Sequence, residues 1–343
     1  MPSGRNNAYR QLNARRLFTE AALLALTLAL IVVDLGMGSS GLAPREVVAA
    51  LLDGPGGKSP DAAILWFIRL PMTLTCAFVG GSLSLAGLQI QTITGNALAS
   101  PYTLGVTAGA SFGAAVAITL GFSIAGQLWM GTALLALLFA LAVSLLIFHL
   151  GRLKGMSPGT LILSGIIMNF FFQALQQYLQ YRASPEIAQV ISGWTFGNLQ
   201  RSSWVSVAVS GVLLAAGTAL LAGRSWRLTV LTTGEERARS LGINVEGLRF
   251  QVFLICSFLI AGAVGFIGTV AFVGLVAPHC AKLMLGEDQR YLLPGATVLG
   301  SLMMIASSIA SKILSGGSMM PVGIITSIVG VPFLFVLLLK KGR

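Results

Sequence analysis

The chain has 343 residues, 55% of them hydrophobic and 10% charged, with a formal net charge of +11. A soluble domain carries about 25% charged residues, and one soluble core could not hide this much apolar surface, so lipid is the expected solvent. The basic residues lie in short loops between apolar runs. No basic patch with interleaved aromatics occurs, which argues against nucleic acid as a partner.

A bilayer core takes roughly 20 apolar residues per helix. Residues 1–16 read as a basic cytoplasmic segment holding Arg10, Arg15 and Arg16, and the first span follows at 17–35. That run is long enough to cross and no small-residue cleavage site follows it, so it is expected to stay as a helix. The polar stretch 36–63 is rich in Gly, Pro and Ser and contains a short surface helix from Pro44 to Leu52, opened by the proline. A second span is expected at 71–92. The segment Thr94-Gly95-Asn96-Ala97-Leu98-Ala99-Ser100-Pro101 then breaks the helix. Spans follow at 103–122, 128–150 and 159–180. In the polar stretch 181–203 and just after it, Trp194 and Trp204 suit a membrane interface. The sixth span is 204–222, and 224–249 is the longest charged loop. The last four spans are 250–270, 272–285, 292–312 and 321–339, the eighth being short and holding Pro278. The fold class is therefore an all-α polytopic membrane protein with ten transmembrane helices, in a single domain from 17 to 343.

Ten alternating spans starting from a cytoplasmic N-terminus put sixteen of the 22 Lys and Arg residues inside, Lys340, Lys341 and Arg343 among them. Arg45, Lys58, Arg69, Arg182, Arg201 and Lys312 fall outside. This asymmetry supports an even number of spans with both termini cytoplasmic. Gly105, Gly109, Gly113, Ala117 and Gly121 recur every four residues in the third span, and Gly262, Gly265 and Gly268 form a second narrow face. Small faces let helices approach closely in lipid; packing inside one subunit is expected, with a dimer seam as the alternative. Cys76, Cys256 and Cys280 all lie in apolar stretches and read as small buried hydrophobes.

The spans contain almost no ionisable groups; Asp34, His149 and Lys312 sit near span ends. A proton- or sodium-coupled carrier usually keeps such groups at depth, so energy is expected from elsewhere. The chain supplies no nucleotide site. Its nearest approach, Gly54-Pro55-Gly56-Gly57-Lys58-Ser59, has Leu52 where the phosphate loop needs its first glycine, and Pro60 follows. With only His149 and His279 as histidines, neither a catalytic site nor a metal site is expected.

The 224–249 loop contains Thr232-Thr233-Gly234-Glu235-Glu236-Arg237-Ala238-Arg239-Ser240-Leu241-Gly242. Thr233 and Glu236 have capping-box spacing, the acids precede the bases as the helix dipole favours, and Gly242 suits a left-handed exit. A short cytoplasmic helix is expected, either as an ordinary connector or as a docking element.

Four stretches carry a family resemblance. The first is Arg69-Leu70-Pro71. The second is Gly87-x-x-x-Gln91 leading to Asn96-x-Leu98-Ala99-Ser100-Pro101-Tyr102-x-Leu104-Gly105. The third is Gly234-Glu235-x-x-Ala238-x-x-Leu241-Gly242. The fourth runs from Gly268 through Phe272-Val273-Gly274-Leu275-x-x-Pro278-His279 to Pro321-Val322-Gly323-Ile324-x-Thr326 and Gly330-x-Pro332-Phe333. From Ile68 to Arg343 the chain resembles the iron-siderophore, haem and cobalamin permeases of ABC importers, the FecCD type.

The resemblance implies a ten-helix subunit that pairs with a second, identical or paralogous permease in a bacterial inner membrane. An ABC ATPase, which binds the ATP and Mg, would dock below, and a periplasmic or lipid-anchored binding protein above. By position, Gly234, Glu235, Ala238, Leu241 and Gly242 would form the ATPase-coupling helix, Asn96 and Leu98 part of the cytoplasmic gate, and Arg69 and Lys312 the basic groups that meet the binding protein. No cofactor is implied in this chain. Met72, Ala97, Lys312, Ser307-Ser308 and Met319 depart from the usual family residues, leaving a less charged docking surface. His279 is expected to be structural, satisfying carbonyls freed at a helix break. An iron(III)-siderophore complex is the expected cargo, haem or cobalamin the alternative within the family. A secondary carrier or a membrane-embedded enzyme are the readings outside it.

Overall fold

A computed structural model describes residues 3–38, 41–57, 59–154, 157–316 and 319–341. Lys58 and Arg343, named above, lie outside the described residues. Among the described residues the fold is helical throughout, with no strand. In chain order the helices are α1 (Ser3–Gly36), α2 (Pro44–Asp53), α3 (Pro60–Ile64), α4 (Leu70–Thr94), α5 (Val106–Leu120), α6 (Leu128–Leu153), α7 (Pro158–Arg182) and α8 (Pro185–Thr195). They continue with α9 (Trp204–Ala222), α10 (Ser225–Thr232), α11 (Glu235–Ser240), α12 (Val245–Ile267), α13 (Val273–Leu285), α14 (Gln289–Leu314) and α15 (Val322–Lys341).

Seven helices among the described residues are long and apolar enough to cross a membrane: those containing α1, α4, α6, α7, α9, α12 and α14. α5, α13 and the apolar part of α15, Val322–Val336, are shorter. Together they occupy the ten expected spans. α1 begins at Ser3 instead of residue 17, because its charged first turns extend the helix beyond the apolar stretch. A π-turn at Leu65–Arg69 joins α3 to α4, so this span reaches back to Pro60. Pro278 lies inside α13 and does not break it, contrary to the expected break beside His279, and the His279 ring packs edge-on to Phe333.

Helix starts follow local chemistry. Ser157 accepts from the Thr160 N–H with Pro158 at the first helical position, and Ser184 accepts from Ile187 with Pro185 placed likewise. A side-chain acceptor satisfies one of the orphan N–H groups there, and proline has none to orphan.

α4 is the hub. It is buried almost from end to end and packs on α9, α12, α13 and α14. At its crossing with α14, a Cβ on Gly80 would run into the Gly300 carbonyl oxygen, so the two backbones meet directly. The small-residue face of α5 packs inside the subunit: Gly113 faces the Leu135 carbonyl of α6, and Gly105 faces Gly165 and Asn169 of α7. Large apolar side chains such as Leu24, Leu28, Leu138 and Leu145 point outward, as lipid solvent requires. Trp204 is exposed and stacks on Trp66, whereas Trp194 is buried in the core and is not an interface residue.

Candidate functional site

The expected coupling segment folds as two short helices, α10 and α11, separated by Thr233 and Gly234. The Thr233–Glu236 capping box does not form. Gly234 is the N-cap of α11, and the Thr233 hydroxyl donates backward to the Val230 carbonyl as α10 ends. The chain turns sharply enough at Gly234, φ 123°, that a side chain there would be strained. Gly242 takes φ 78°, the expected left-handed exit.

The residues expected on the coupling helix divide by exposure. Ala238 is fully buried against its own subunit, while Leu241 is 59% exposed. Glu235 turns partly inward. Its Oε1 accepts from Arg239 Nη2 at 2.8 Å and its Oε2 from Arg249 Nη2 at 2.8 Å. Burial pushes this carboxyl up, but the hydrogen bonds and charges of the two arginines outweigh it and hold the group below the usual carboxylate range. Ala238 and Glu235 thus belong to the anchoring side of α11, and Leu241 to the side open to a partner.

Arg249, on α12, is the residue that sequence reasoning missed as a member of this site. It is 4% exposed, and besides Glu235 it donates Nε to the Ile93 carbonyl at 3.0 Å. That carbonyl belongs to the last turn of α4, where carbonyls lack helical partners and a cation is favoured. A second tie runs parallel. The Gln289 backbone N–H donates to Thr229 Oγ1 of α10 at 3.2 Å. Its side chain donates to Thr92 Oγ1 at 3.2 Å and accepts from Gln89 at 2.9 Å. The α10–α11 segment is therefore fastened to the end of α4 at two places by hydrogen bonds.

Immediately beyond that end come Asn96 and Leu98. The Asn96 N–H donates to the Gln91 carbonyl at 3.2 Å, and Asn96 Oδ1 accepts from the Leu98 N–H at 2.9 Å, a turn that presents Leu98 with 57% of its surface exposed. A cleft of about 390 Å³ opens beside this turn, lined by Gln91, Ala97, Pro158, Glu235, Arg249 and Lys282. The expected gate residues and coupling helix are thus neighbours, joined through Arg249.

Arg69 and Lys312, the cations expected to meet the binding protein from the outer surface, are buried, 6% and 7% exposed. Lys312 Nζ lies 2.8 Å from Asp34 Oδ1 and donates to the Asp34 backbone carbonyl at 2.8 Å. Asp34 also accepts from Thr73 Oγ1 at 2.5 Å and Ser308 Oγ at 2.8 Å. Arg69 Nη1 donates to the Leu35 and Gly36 carbonyls at 2.9 and 3.2 Å. A carboxylate buried at the end of α1 draws in the lysine, and the frayed carbonyls of the same helix end draw in the arginine. Both cations fasten α1 to α4 and α14.

Among the described residues no group of His, Cys, Asp and Glu could hold a metal ion.

Comparisons with known proteins agree with this architecture. The chain is 33% identical to the iron-uptake system permease FeuC of Bacillus subtilis, over 94% of this chain and 97% of that one. It is 31% identical to the molybdate import system permease MolB of Haemophilus influenzae, over 94% and 96%. A solved metal-chelate type ABC transporter in an inward-facing conformation superposes with a TM-score of 0.83 and 30% identity, over 94% of this chain and 98% of that chain. The FecCD transport family matches residues 26–340. The chain belongs to the FecCD transport family, as a multi-pass, non-catalytic ABC transporter permease.

Proposed function

We propose that this permease carries an iron(III)-siderophore complex across a bacterial inner membrane, with both termini in the cytoplasm. A pair of such subunits, identical or paralogous, encloses the path. An ATPase seats on the exposed side of α11 around Leu241, and its movement reaches the Asn96–Leu98 turn through Arg249 and α4. A binding protein delivers cargo at the opposite face.

The observation that carries the mechanical reading is the bridge from Glu235 through Arg249 to Ile93, which links the coupling helix to the turn beside the gate. The excess of Lys and Arg in the loops assigned to the inside supports the orientation. The iron-uptake relative and the metal-chelate transporter support the cargo. The test is reconstitution of the permease with its ATPase and binding protein in liposomes. ATP-dependent uptake of a ⁵⁵Fe-loaded siderophore is expected, with none from the permease alone. Uptake of molybdate, hemin or cobalamin with no uptake of the iron complex would overturn the cargo. Uptake driven by an ion gradient without ATP would overturn the mechanism.

A further inference from the structure

The half of α7 that ends at Arg182 carries Asn169, Gln173, Gln176, Gln177 and Gln180, spaced so that they share one side of the helix. All five line a cavity of about 210 Å³, which Thr107 and Ser111 of α5 also face. Among the described residues no Asp, Glu, Lys, Arg or His lines it. Gln173 donates to the Tyr102 hydroxyl at 3.4 Å and Gln180 to Ser192 Oγ at 2.7 Å, which orients the amides near the two ends of the patch.

Two buried polar atoms on these lining residues are unsatisfied. Thr107 is 1% exposed, yet its Oγ1 has no hydrogen-bond partner among the described residues. Thr92, Thr94 and Thr119 instead return their hydroxyls to the carbonyl four residues back. Asn169 Oδ1 is likewise buried and unpartnered. Polar groups persist at membrane depth where they line a wet cavity or meet a solute. A second cleft of about 340 Å³ shares Tyr102, Thr195 and Thr269 with the first and continues to Ile324 and Ser327 of α15. This stretch of wall is made largely of amides and hydroxyls.

Amides and hydroxyls offer donors and acceptors together and no net charge. A small ion of full charge would find no counter-charge here, and its desolvation would go uncompensated. We propose that this amide-lined surface contacts cargo in transit, and that it suits a metal chelate of low net charge presenting carbonyl, hydroxyl and amide groups. The ligand class rests on the iron-chelate reading above.

The test uses the complete transporter in liposomes, with a ⁵⁵Fe-loaded tris-hydroxamate chelate as probe and molybdate in a parallel arm. The Gln173→Leu/Gln177→Leu variant is expected to lose about tenfold in chelate uptake while still co-purifying with the ATPase, and Gln173→Asn/Gln177→Asn to stay within about threefold of the parent. Undiminished uptake by the double leucine variant overturns the site and leaves the chelate reading standing. A parent transporter that carries molybdate and no hydroxamate chelate overturns the chelate reading and this ligand class with it. Should the double variant fail to assemble, Gln177→Leu alone, at an exposed position, carries the test: about threefold loss supports the site and parental uptake overturns it.

Discussion

Arg249 Nε reaches the carbonyl oxygen of Ile93 at 3.0 Å, although 156 residues separate them in sequence. The same guanidinium holds Glu235 at the start of α11. Its planar fork lets one side chain serve both partners, which a lysine ammonium cannot do in the same geometry. The pair turns a surface helix into an extension of α4, the most deeply buried helix of the bundle.

Glu235→Gln keeps an acceptor for Arg249 but removes the charge. Uptake is expected to fall about two- to fivefold, with insertion unchanged, since a neutral hydrogen bond is roughly half as strong as a charge-assisted one. The folded carboxyl titrates below its unfolded value, so the pairing contributes fully above about pH 4.3 and is lost only as pH falls through the lower folded value. Uptake measured from pH 6 to pH 8 should show no step from this group, and a step absent from Glu235→Gln would contradict the assignment.

Leu241→Asp places a charge on the exposed side of α11, where the side chain is 59% open. The subunit is expected to insert and fold as before, because no core contact is removed. ATPase co-purification and uptake should both be lost. Normal association would remove Leu241 from the docking surface.

Asp34 and Lys312 form a buried pair, with side chains 1% and 8% exposed. Removing one partner of such a pair costs about 3–5 kcal/mol, because the other charge is left buried and alone. Lys312→Met should therefore lower the thermal midpoint in detergent markedly, and Asp34→Asn/Lys312→Met should recover much of the loss. Equal midpoints for Lys312→Met and the parent would show that the pair contributes nothing to holding α1.

The long spans were legible because apolar runs report locally, and Pro44 opens its helix as expected. α8, opened by Ser184-Pro185, was not, because its stretch reads only as polar. The roles of charges were not legible, since they depend on neighbours brought by folding. Arg69 and Lys312 read as outer surface groups until Asp34 and the α1 carbonyls were placed beside them. Arg249 read as one more cytoplasmic cation, with nothing nearby in sequence to mark Ile93 as its partner. Thr233 and Glu236 had the spacing of a capping box, but the chain ends one helix at Thr232 before starting the next, so the threonine finishes α10 instead. The glutamines of α7 stand at helical spacing in the sequence, but an uncharged amide carries no local sign of the cavity it comes to line.

The most direct measurement is the ratio of ATP hydrolysis to uptake for Arg249→Met in reconstituted transporter. The substitution leaves the exposed side of α11 intact and removes the bridge to Ile93. The ATPase is expected still to bind and hydrolyse while uptake falls at least about tenfold. Parental uptake per ATP in that variant would contradict a coupling role for the bridge.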